Sequence, residues 1–581
     1  IVKEVDLTGG VPNVQTSTGM YVGKFMWGPA DQRKLIANEE ELTETYGAPN
    51  NSHSVDYHDA AYFLRYSNTL QMSRIVDATA KNATATTGQT SAYAVGTYTT
   101  PQVTNDDNFL TQEGALDSDG HTFVGRYPGS LANSLRVSIC PPSIGDSAFD
   151  GWTYKSSFDA APGTSTFASN NDATNDEVHV AIVDVNGEFS GTKGTVLETY
   201  PYLSVATNAV NADDGGNIYV KDVINTNSQY VHFVNFDSNF TNFGNAGTAI
   251  TPGTTKDFLG TAVQTSATVN FEFDSGVDTG TLSTANYLGG FDLFEDKDVV
   301  EIDFMIAPGM TTRADQTTVV NDLIAIANSR KDCVVVSGPA REDIVNVYSG
   351  ATVTTNLVAT AETFTRSSYN IVAGNFLKVY DKYNDKFIEI PASSSLAGLM
   401  AETDRVAAPW FSPAGTRRGQ LLGVTSLAYN PNKARRDTLY KSGINPIVNL
   451  PGQGITLFGD KTGLARPSAF DRINVRRLFL TLERAIERAA KNVLFEFNDE
   501  FTRAEFVNII EPVLRDVKGR RGITDFRVIA DETVNTAEVV DRNEFIANIL
   551  IKPARSINFI TLNFVAVRTG VSFEEIAGQA F

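Results

Sequence analysis

The stretch VVEIDFMIAPGMTTRADQTTVVNDLIAIANSRKDCVVVSGPA, residues 299–340, decides the fold. Its two ends, VVEIDFMIAPG and CVVVSGPA, have the apolar composition of strands. The segment 314–330 between them predicts a helix, and short loops join the three elements. Because a strand–helix–strand unit with short connections brings its strands together in parallel, we predict a parallel sheet here.

Segments that precede a long insertion are expected to complete this sheet. Residues 20–30 and 69–77 predict strands, and the first of them ends at Gly28-Pro29. Asn38 is a predicted N-cap for a helix over 39–47, and a second helix is predicted over 55–67. The insertion itself, residues 81–299, is rich in Gly, Ser, Thr, Asn and Asp. Its short strands with recurring turn signals predict one or two all-β domains.

The chain after about Leu450 predicts a mixture of helices and strands. The stretch FDRINVRRLFLTLERAIERAAKNVLFEF, residues 470–497, has the spacing of an amphipathic helix. A second helix is predicted over 501–522, followed by strands over 523–531, 543–553 and 556–568. Just before this section, Asn430-Pro431 is expected to start another helix, with Asn430 as its cap and Gly443 at its end. The chain is therefore predicted to combine α/β and α+β domains.

Length, composition and charge restrict which classes of protein this chain can belong to. The chain has 581 residues, 42% of them hydrophobic, and a net charge of −21. Residues 81–300 hold 8 Lys and Arg against 26 Asp and Glu, whereas residues 451–581 hold 18 of each. An acidic surface of this kind repels nucleic acid. The two cysteines fit a reducing compartment, Cys333 is expected to be a buried thiol, and no apolar run has the length of a membrane span.

The sequence carries no recognisable catalytic or metal-binding constellation. It has five histidines, none after residue 232, and no HExxH, CxxC, GxxxxGK[ST] or GxSxG motif. Ser337 follows a strand as a nucleophile can, but a plain strand-to-helix turn is favoured because the later chain offers no histidine. We therefore expect no enzyme activity, no metal and no cofactor, and favour a structural or interaction protein.

Long segments of the chain resemble the contractile tail sheath proteins of myovirus bacteriophages, in their T-even-like form. They span most of the chain outside residues 81–300, in consecutive order. The matching segments are YVGKFMWGPAD (21–31), RKDCVVVSGPARED (330–343), YDKYNDKFIEIPASSSLAGLMAETD (380–404), WFSPAGTRRGQ (410–420), FGDKTGLARPSAFDRINVRRLF (458–479) and DRNEFIANILIKPARSINFITLNFVAVRTG (541–570).

The resemblance implies a function and a set of partners. Sheath subunits stack as hexameric rings in a helical polymer around a tail tube, starting from the baseplate, and a tail terminator protein is a further partner. The polymer is metastable when extended, and its contraction drives the tube through the host envelope so that the genome follows. The subunit would belong to the virion, be assembled in the host cytoplasm, and need neither direct nucleic-acid binding nor membrane insertion.

The resemblance also implies a domain layout. Residues 1–20 would be an N-terminal arm, and residues 21–80 with 300–450 an α/β sheath domain whose sheet is parallel or mixed. Residues 81–299 would form the outer β-rich insertion. Residues 451–570 would form an inner α+β domain, and residues 571–581 a C-terminal tail or arm.

Extended arms are expected to link neighbouring subunits, because an added strand keeps its main-chain hydrogen bonds while domains rotate. The segment 1–7 fits a donor strand, through Ile1, Val2, Val5 and Leu7. The predicted strands 543–553 and 556–568 are the expected acceptors. The acceptor residues are Phe545, Ile549, Ile551, Ile557, Phe559, Leu562 and Phe564.

The arginine-rich helix is predicted to bury an apolar stripe and to expose a basic one. The stripe comprises Val475, Leu478, Phe479, Leu482, Ala485, Ile486, Ala489 and Val493. The basic side is expected to contact the tube or an adjacent subunit, since the family places the C-terminal domain innermost. The residues expected in this contact are Arg476, Arg477, Arg484, Arg488 and Lys491.

Three other functions stay open on the sequence alone. A sheath of a related injection machine, such as a tailocin or a secretion system, would have the same chemistry without genome delivery. A hydrolase using a carboxylate of the acidic region lacks a catalytic constellation. A β-rich surface adhesin fits poorly with the α/β core and the cysteine usage.

Overall fold

The computed structural model describes residues 17–85, 100–236, 244–259 and 268–556. Within these residues the protein is a mixed α/β structure with several sheets and 15 α-helices. By compactness the chain divides into two units. The larger comprises Pro12–Pro409 and Pro413–Glu487, and the smaller comprises Ile1–Val11, Trp410–Ser412 and Arg488–Phe581.

A seven-stranded central sheet forms the larger unit. Every neighbouring pair of strands is parallel except the last pair, which is antiparallel, so the sheet is mixed. Its strands, in spatial order, are Ile444–Asn445, Asn370–Ala373, Val334–Ser337, Phe304–Ile306, Gly19–Gly23, Leu70–Arg74 and Arg33–Ile36. The predicted parallel sheet and its completion across the insertion are both confirmed.

The first strand leads into a turn that requires glycine. Gly28 has a φ of 93°, and a Cβ there would lie 2.5 Å from the carbonyl oxygen of Thr45. No other residue type fits both the backbone conformation and the space. The predicted cap is also confirmed, because the Asn38 side chain accepts a hydrogen bond from the Glu41 amide at 2.9 Å.

Helices cover both faces of the central sheet, as its strands of continuous apolar residues require. Phe304 and Ile306 point to one face, where Ser54–Leu64 and Ser393–Val406 pack. Met305 points to the other face. The helices of that second face are Thr284–Asp292, Arg313–Arg330, Gly350–Thr363 and Lys433–Lys441.

The insertion has β-sheets and a hydrophobic core of its own. A four-stranded antiparallel sheet has the order Val269–Glu272, Leu135–Cys140, Glu177–Asp184 and Thr195–Ser204. A three-stranded sheet has the order Val231–Phe233, Phe123–Gly125 and Thr84–Ala85, and Lys256–Asp257 pairs with Ala173–Thr174. The helices of this region are Asp106–Ser118, Ser147–Asp150, Thr166–Asn170 and Val220–Asn227, with short 3₁₀ turns at Ser130–Ser134, Ile144–Asp146 and Lys155–Ser157.

Smaller elements complete the larger unit. Three strands form an antiparallel sheet in the order Lys386–Pro391, Phe376–Asp381 and Ser426–Leu427, and Ile447–Leu450 pairs with Gly454–Leu457. The remaining short helices are Glu39–Tyr46, Arg341–Ile344 and the 3₁₀ turn Ala469–Asp471.

The predicted cap of the helix near residue 433 is wrong by two positions. The helix is Lys433–Lys441, and Asn432, not Asn430, caps it by accepting from the Arg435 amide at 3.0 Å. Asn432 immediately precedes the helix, so its side chain reaches the free amides of the first turn, whereas Asn430 is two residues further away. Gly443 does follow the end of the helix, with a φ of 82°.

The described part of the smaller unit packs a helix against a hairpin. The helix Glu500–Gly519 runs through Pro512, and Asp499 caps it. The strands Ile523–Ile529 and Asn548–Pro553 pair antiparallel, and Ala537–Asp541 lies between them in sequence. Phe506, Ile510 and Leu514 form the buried stripe of the helix. The third predicted strand, 556–568, falls almost wholly outside the described residues.

Candidate interaction site on the arginine-rich helix

The helix Ile473–Lys491, named here the arginine helix, positions the residues predicted to bind a partner. Its apolar stripe is buried, with Val475, Leu478 and Leu482 no more than 2% exposed and Ala485 and Ala489 also buried. The predicted core-facing stripe is therefore confirmed at these five residues, whereas Phe479, Ile486 and Val493 are only partly buried. The boundary between the two compact units falls after Glu487, within this helix.

Arg476 is buried between aromatic rings. Its guanidinium lies 4.3 Å from the ring centre of Tyr369 and 4.2 Å from that of Phe470. Its Nη2 donates a hydrogen bond to Ser368 Oγ at 2.6 Å. Stacking on two rings stabilises a desolvated guanidinium, so this side chain holds its own subunit together.

Arg477 forms a buried ion pair. Its Nη2 donates to Asp404 Oδ2, and its Nη1 donates to the Met400 carbonyl oxygen at 3.1 Å. The two charged side chains are 4% and 6% exposed. The guanidinium also lies 4.9 Å from the ring centre of Phe304, a central strand residue. The contact ties the arginine helix to the helix Ser393–Val406 and to the sheet.

Arg484 pairs with a carboxylate immediately before the same central strand. Its Nη1 donates to Asp303 Oδ1 at 2.6 Å, and its Nη2 donates to the carbonyl oxygens of Ile302 and Asp332 at 3.1 and 2.8 Å. Asp303 Oδ2 also accepts from the Thr18 amide at 2.9 Å. The pair is 10% exposed on each side, so it is largely shielded from solvent.

The prediction of an exposed basic strip is wrong at Arg476, Arg477 and Arg484. Their partners come from residues 303, 332, 368 and 404, which the fold brings to the helix and which helical spacing cannot show. Burial of guanidinium groups is tolerated because each one is hydrogen-bonded. Lys491 is exposed and Arg488 is partly exposed, so contact of these two with a partner stays a prediction.

The remaining predicted residues divide between the described and undescribed parts of the chain. Ile549 and Ile551 are partly buried in the hairpin, where they pair with Val528 and Phe526. The Phe545 ring lies 5.1 Å from the ring of Phe506. The residues outside the described part are Ile1, Val2, Val5, Leu7, Ile557, Phe559, Leu562 and Phe564.

Asp303 is the functional partner that sequence reasoning missed. The signal was present, since a lone carboxylate in the apolar run EIDFMI is a residue type that is rarely buried without a partner. Burial raises the pKa of Asp303 to about 6, although Arg484 and the Thr18 amide lower it. The carboxylate is therefore ionised at pH 7 and takes up a proton in mildly acidic solution.

The raised pKa predicts a pH dependence of folding. A carboxyl group whose pKa is higher in the folded state contributes stability below its unfolded pKa, and this contribution disappears as the pH rises through about 6. The full contribution is on the order of 3 kcal/mol. Because residue 303 cannot titrate in Asp303→Asn, the free energy of unfolding of the wild type should fall relative to that of this variant from pH 4 to pH 7.5, as measured by denaturant unfolding. Equal pH slopes for the two proteins would contradict the assignment.

His53, His58 and Ser337 make hydrogen bonds within the fold. His53 and His58 are buried, and each ring is hydrogen-bonded, to Asn50 Oδ1 and to the Ser54 carbonyl oxygen. Ser337 Oγ donates to Asn370 Oδ1 at 2.7 Å in the core. Cys333 is a buried free thiol, as predicted. Within the described ranges, no three His, Cys, Asp or Glu side chains are arranged to hold a metal, and no helix could cross a membrane.

Comparisons with protein families match the second half of the chain to two models. The phage tail sheath protein central domain matches residues 280–463, and the phage tail sheath C-terminal domain matches residues 465–566. The first therefore covers the later strands of the central sheet, and the second begins just before the arginine helix.

Relatives of known identity match almost the whole chain. The tail sheath protein of Vibrio phage KVP40 is 33% identical over 680 aligned residues, which cover 99% of this chain and 98% of the relative. That of Enterobacteria phage T4 is 33% identical over 664 residues, with 100% and 98% covered. The crystal structure of a sheath tail protein from Listeria innocua shares the fold, with a TM-score of 0.55, 12% identity and 94% of each chain covered. The chain therefore belongs to the phage tail sheath protein family.

Proposed function

We propose that the chain is the structural subunit of a contractile phage tail sheath. It polymerises around the tail tube in a metastable extended state and contracts to drive the tube through the host cell envelope for genome delivery. The observation that carries this proposal is one-third identity to phage tail sheath proteins over nearly the full length of both chains.

The proposed mechanism needs no catalysis. Work comes from the free-energy difference between two packings of the same subunits, which a baseplate signal releases. A subunit that transmits force must stay rigid while its contacts change. The buried pairs Arg477–Asp404 and Arg484–Asp303 support such rigidity, because each one links the arginine helix to an element distant in sequence.

Flexible links between rigid subunits are proposed to come from strand exchange. Within the described residues, the hairpin Ile523–Ile529 and Asn548–Pro553 is two-stranded, so each strand has an edge without a main-chain partner in that sheet. A two-stranded hairpin has marginal stability and an open edge invites a further strand. We propose that the segment 1–7 of a neighbour adds to this sheet, with Phe545, Ile549 and Ile551 on the acceptor and Ile557–Phe564 continuing it.

The finer features of the assembly follow from the same proposal. Subunits form stacked hexameric rings with a tail tube protein inside and with baseplate and tail terminator proteins at the ends. Arg488 and Lys491 remain the candidate basic contacts to the tube. The arm at 1–20, the outer insertion at 81–299 and the inner domain at 451–570 are the proposed layout. The particle would be assembled in the host cytoplasm and become part of the virion.

Electron microscopy of the purified full chain tests this function. We expect negative-stain images to show tubular polymers of the contracted type, because contraction leads to the state of lower free energy. Sedimentation should give a critical concentration for their formation. A chain that stays monomeric at high protein concentration, with or without tail tubes, would overturn the proposal.

A further inference from the structure

An exposed apolar loop follows the arginine helix. Residues 494–501, LFEFNDEF, are named here the aromatic loop; the last two of them begin the helix Glu500–Gly519. Leu494, Phe495, Phe497 and Phe501 are 60, 105, 84 and 87% exposed. Together they present roughly 600 Å² of apolar surface. A patch of this size on one loop is at the upper limit for a monomer and is typical of an interaction surface.

The backbone holds these side chains outward. Phe495 has a φ of 70°, which a bulky residue adopts only when the surrounding structure enforces it. The loop is anchored towards its C-terminal end, because Asn498 Nδ2 donates to the Glu544 carbonyl oxygen at 2.7 Å and Asp499 caps the next helix. The phenylalanines are therefore presented by an ordered loop.

The loop is acidic as well as apolar. It contains Glu496, Asp499 and Glu500 and no basic residue. A surface that buries it must therefore be apolar in part and positively charged. In a chain of net charge −21 such a surface is exceptional.

A basic surface lies within the described part of the chain. Residues 433–472 contain seven Lys and Arg and three Asp, a net charge of +4. The basic face, as named here, consists of Lys433, Arg435, Arg436, Lys441, Phe458 and Lys461. Arg472 beside it pairs with Asp460 and Asp471.

Cation–ring contacts bring several of these residues together in space. The Lys461 ammonium and the Arg472 guanidinium lie 4.6 and 5.7 Å from the ring centre of Tyr440, which lies on the helix Lys433–Lys441. The Arg436 guanidinium lies 5.3 Å from the ring centre of Phe458, which is 48% exposed. An exposed aromatic ring flanked by cations is the surface that an acidic, aromatic loop fits.

We propose that the aromatic loop of one subunit docks on the basic face of a second copy of this chain. The two surfaces are opposite in charge and each has an apolar part. If each side buried about 600 Å², the contact would exceed the ~1,000 Å² expected of a specific interface. Because the two patches differ, the contact is head-to-tail and repeats from copy to copy. The inference rests on the proposed sheath function and adds one of its interfaces.

A charge exchange tests the pairing. Glu496→Lys with Glu500→Lys reverses the loop, and Lys433→Glu with Arg436→Glu reverses the face. Each pair should raise the critical concentration for polymerisation at least about tenfold, because like charges then meet. All four changes together should restore it to within about threefold of the wild type. Phe495→Ser with Phe497→Ser should weaken polymerisation and should not be rescued by the reversed face.

Matched controls keep the outcomes distinct. Glu295→Lys with Asp298→Lys changes two exposed acidic residues outside the loop and should leave the critical concentration unchanged. All the substituted side chains are at least partly exposed, so thermal unfolding of the monomers should match the wild type. Polymerisation of both reversed variants at the wild-type concentration, or failure of the fourfold variant to recover, would overturn the pairing. A wild type that does not polymerise would instead overturn the sheath function.

Discussion

Replacement of Arg477 with alanine is expected to lower the free energy of unfolding by about 3–5 kcal/mol. The change leaves Asp404 without the guanidinium that neutralises it in a site where the carboxylate is 6% exposed. It also removes the hydrogen bond to the Met400 carbonyl oxygen and the contact with the Phe304 ring. Urea unfolding followed by circular dichroism and intrinsic fluorescence measures the loss.

Two further variants distinguish loss of the ion pair from a general effect of losing a positive charge on this helix. Lys491→Ala removes an exposed charge of the same helix and should change stability by no more than about 0.5 kcal/mol. Arg477→Ala with Asp404→Ala should be more stable than Arg477→Ala alone, because the double variant no longer buries a carboxylate that has lost its guanidinium. Exposed ion pairs contribute about 1 kcal/mol or less to stability. If Arg477→Ala lowered the free energy of unfolding by less than about 1 kcal/mol, this would contradict the conclusion that Arg477 and Asp404 form a stabilising buried ion pair.

Deletion of residues 1–7 is expected to abolish sheath formation while the monomer stays folded. If this segment adds a strand to a neighbour's hairpin, its loss removes the link that persists during contraction. Sedimentation and electron microscopy should show no tubular polymer at concentrations at which the full chain assembles. Thermal unfolding of the monomer should be unchanged. Normal polymerisation of the truncated chain would contradict the arm.

Two substitutions of Val5 test how much the main-chain hydrogen bonds of the arm contribute to polymerisation. Val5→Pro removes an amide donor and should weaken polymerisation, since proline cannot pair fully within a sheet. Val5→Thr keeps the amide and the β propensity and should polymerise as the wild type does. Equal behaviour of the two variants would show that side chains and not strand pairing hold the arm.

The helices and strands that could be predicted are those whose position follows from nearby residues in the sequence. The runs CVVV and FMI are apolar on both faces, a pattern typical of strands in a covered parallel sheet. Asn38 is followed by three glutamates, a pattern typical of a helix start. The buried stripe of the arginine helix could be predicted because its apolar residues recur at helical spacing. Each of these signals lies within about 20 residues of the element that it predicts.

The arginines could not be assigned in the same way. A helical wheel gives the side of the helix on which Arg477 and Arg484 lie, but not what the fold places there. Their partners Asp404 and Asp303 are 73 and 181 residues away in the chain. The helix cap shows that sequence pattern can also fail over a short distance. Asn430 and Asn432 are both suitable cap residues, and only the folded geometry shows that Asn432 is the cap. Polar partners in a folded core are set by tertiary structure.

The central sheet also has a consequence for synthesis on the ribosome. Its strand Gly19–Gly23 pairs with Phe304–Ile306, and the Thr18 amide bonds to Asp303 across 285 residues. At ~5–20 residues per second, translation needs roughly 15–60 s to supply that partner. The first strand can pair early with Leu70–Arg74 on one edge, but its other edge must wait while the insertion emerges and can fold first. Early folding of the insertion would shorten the effective distance between the waiting strand and its partner, since closing a loop costs less when its interior is already compact.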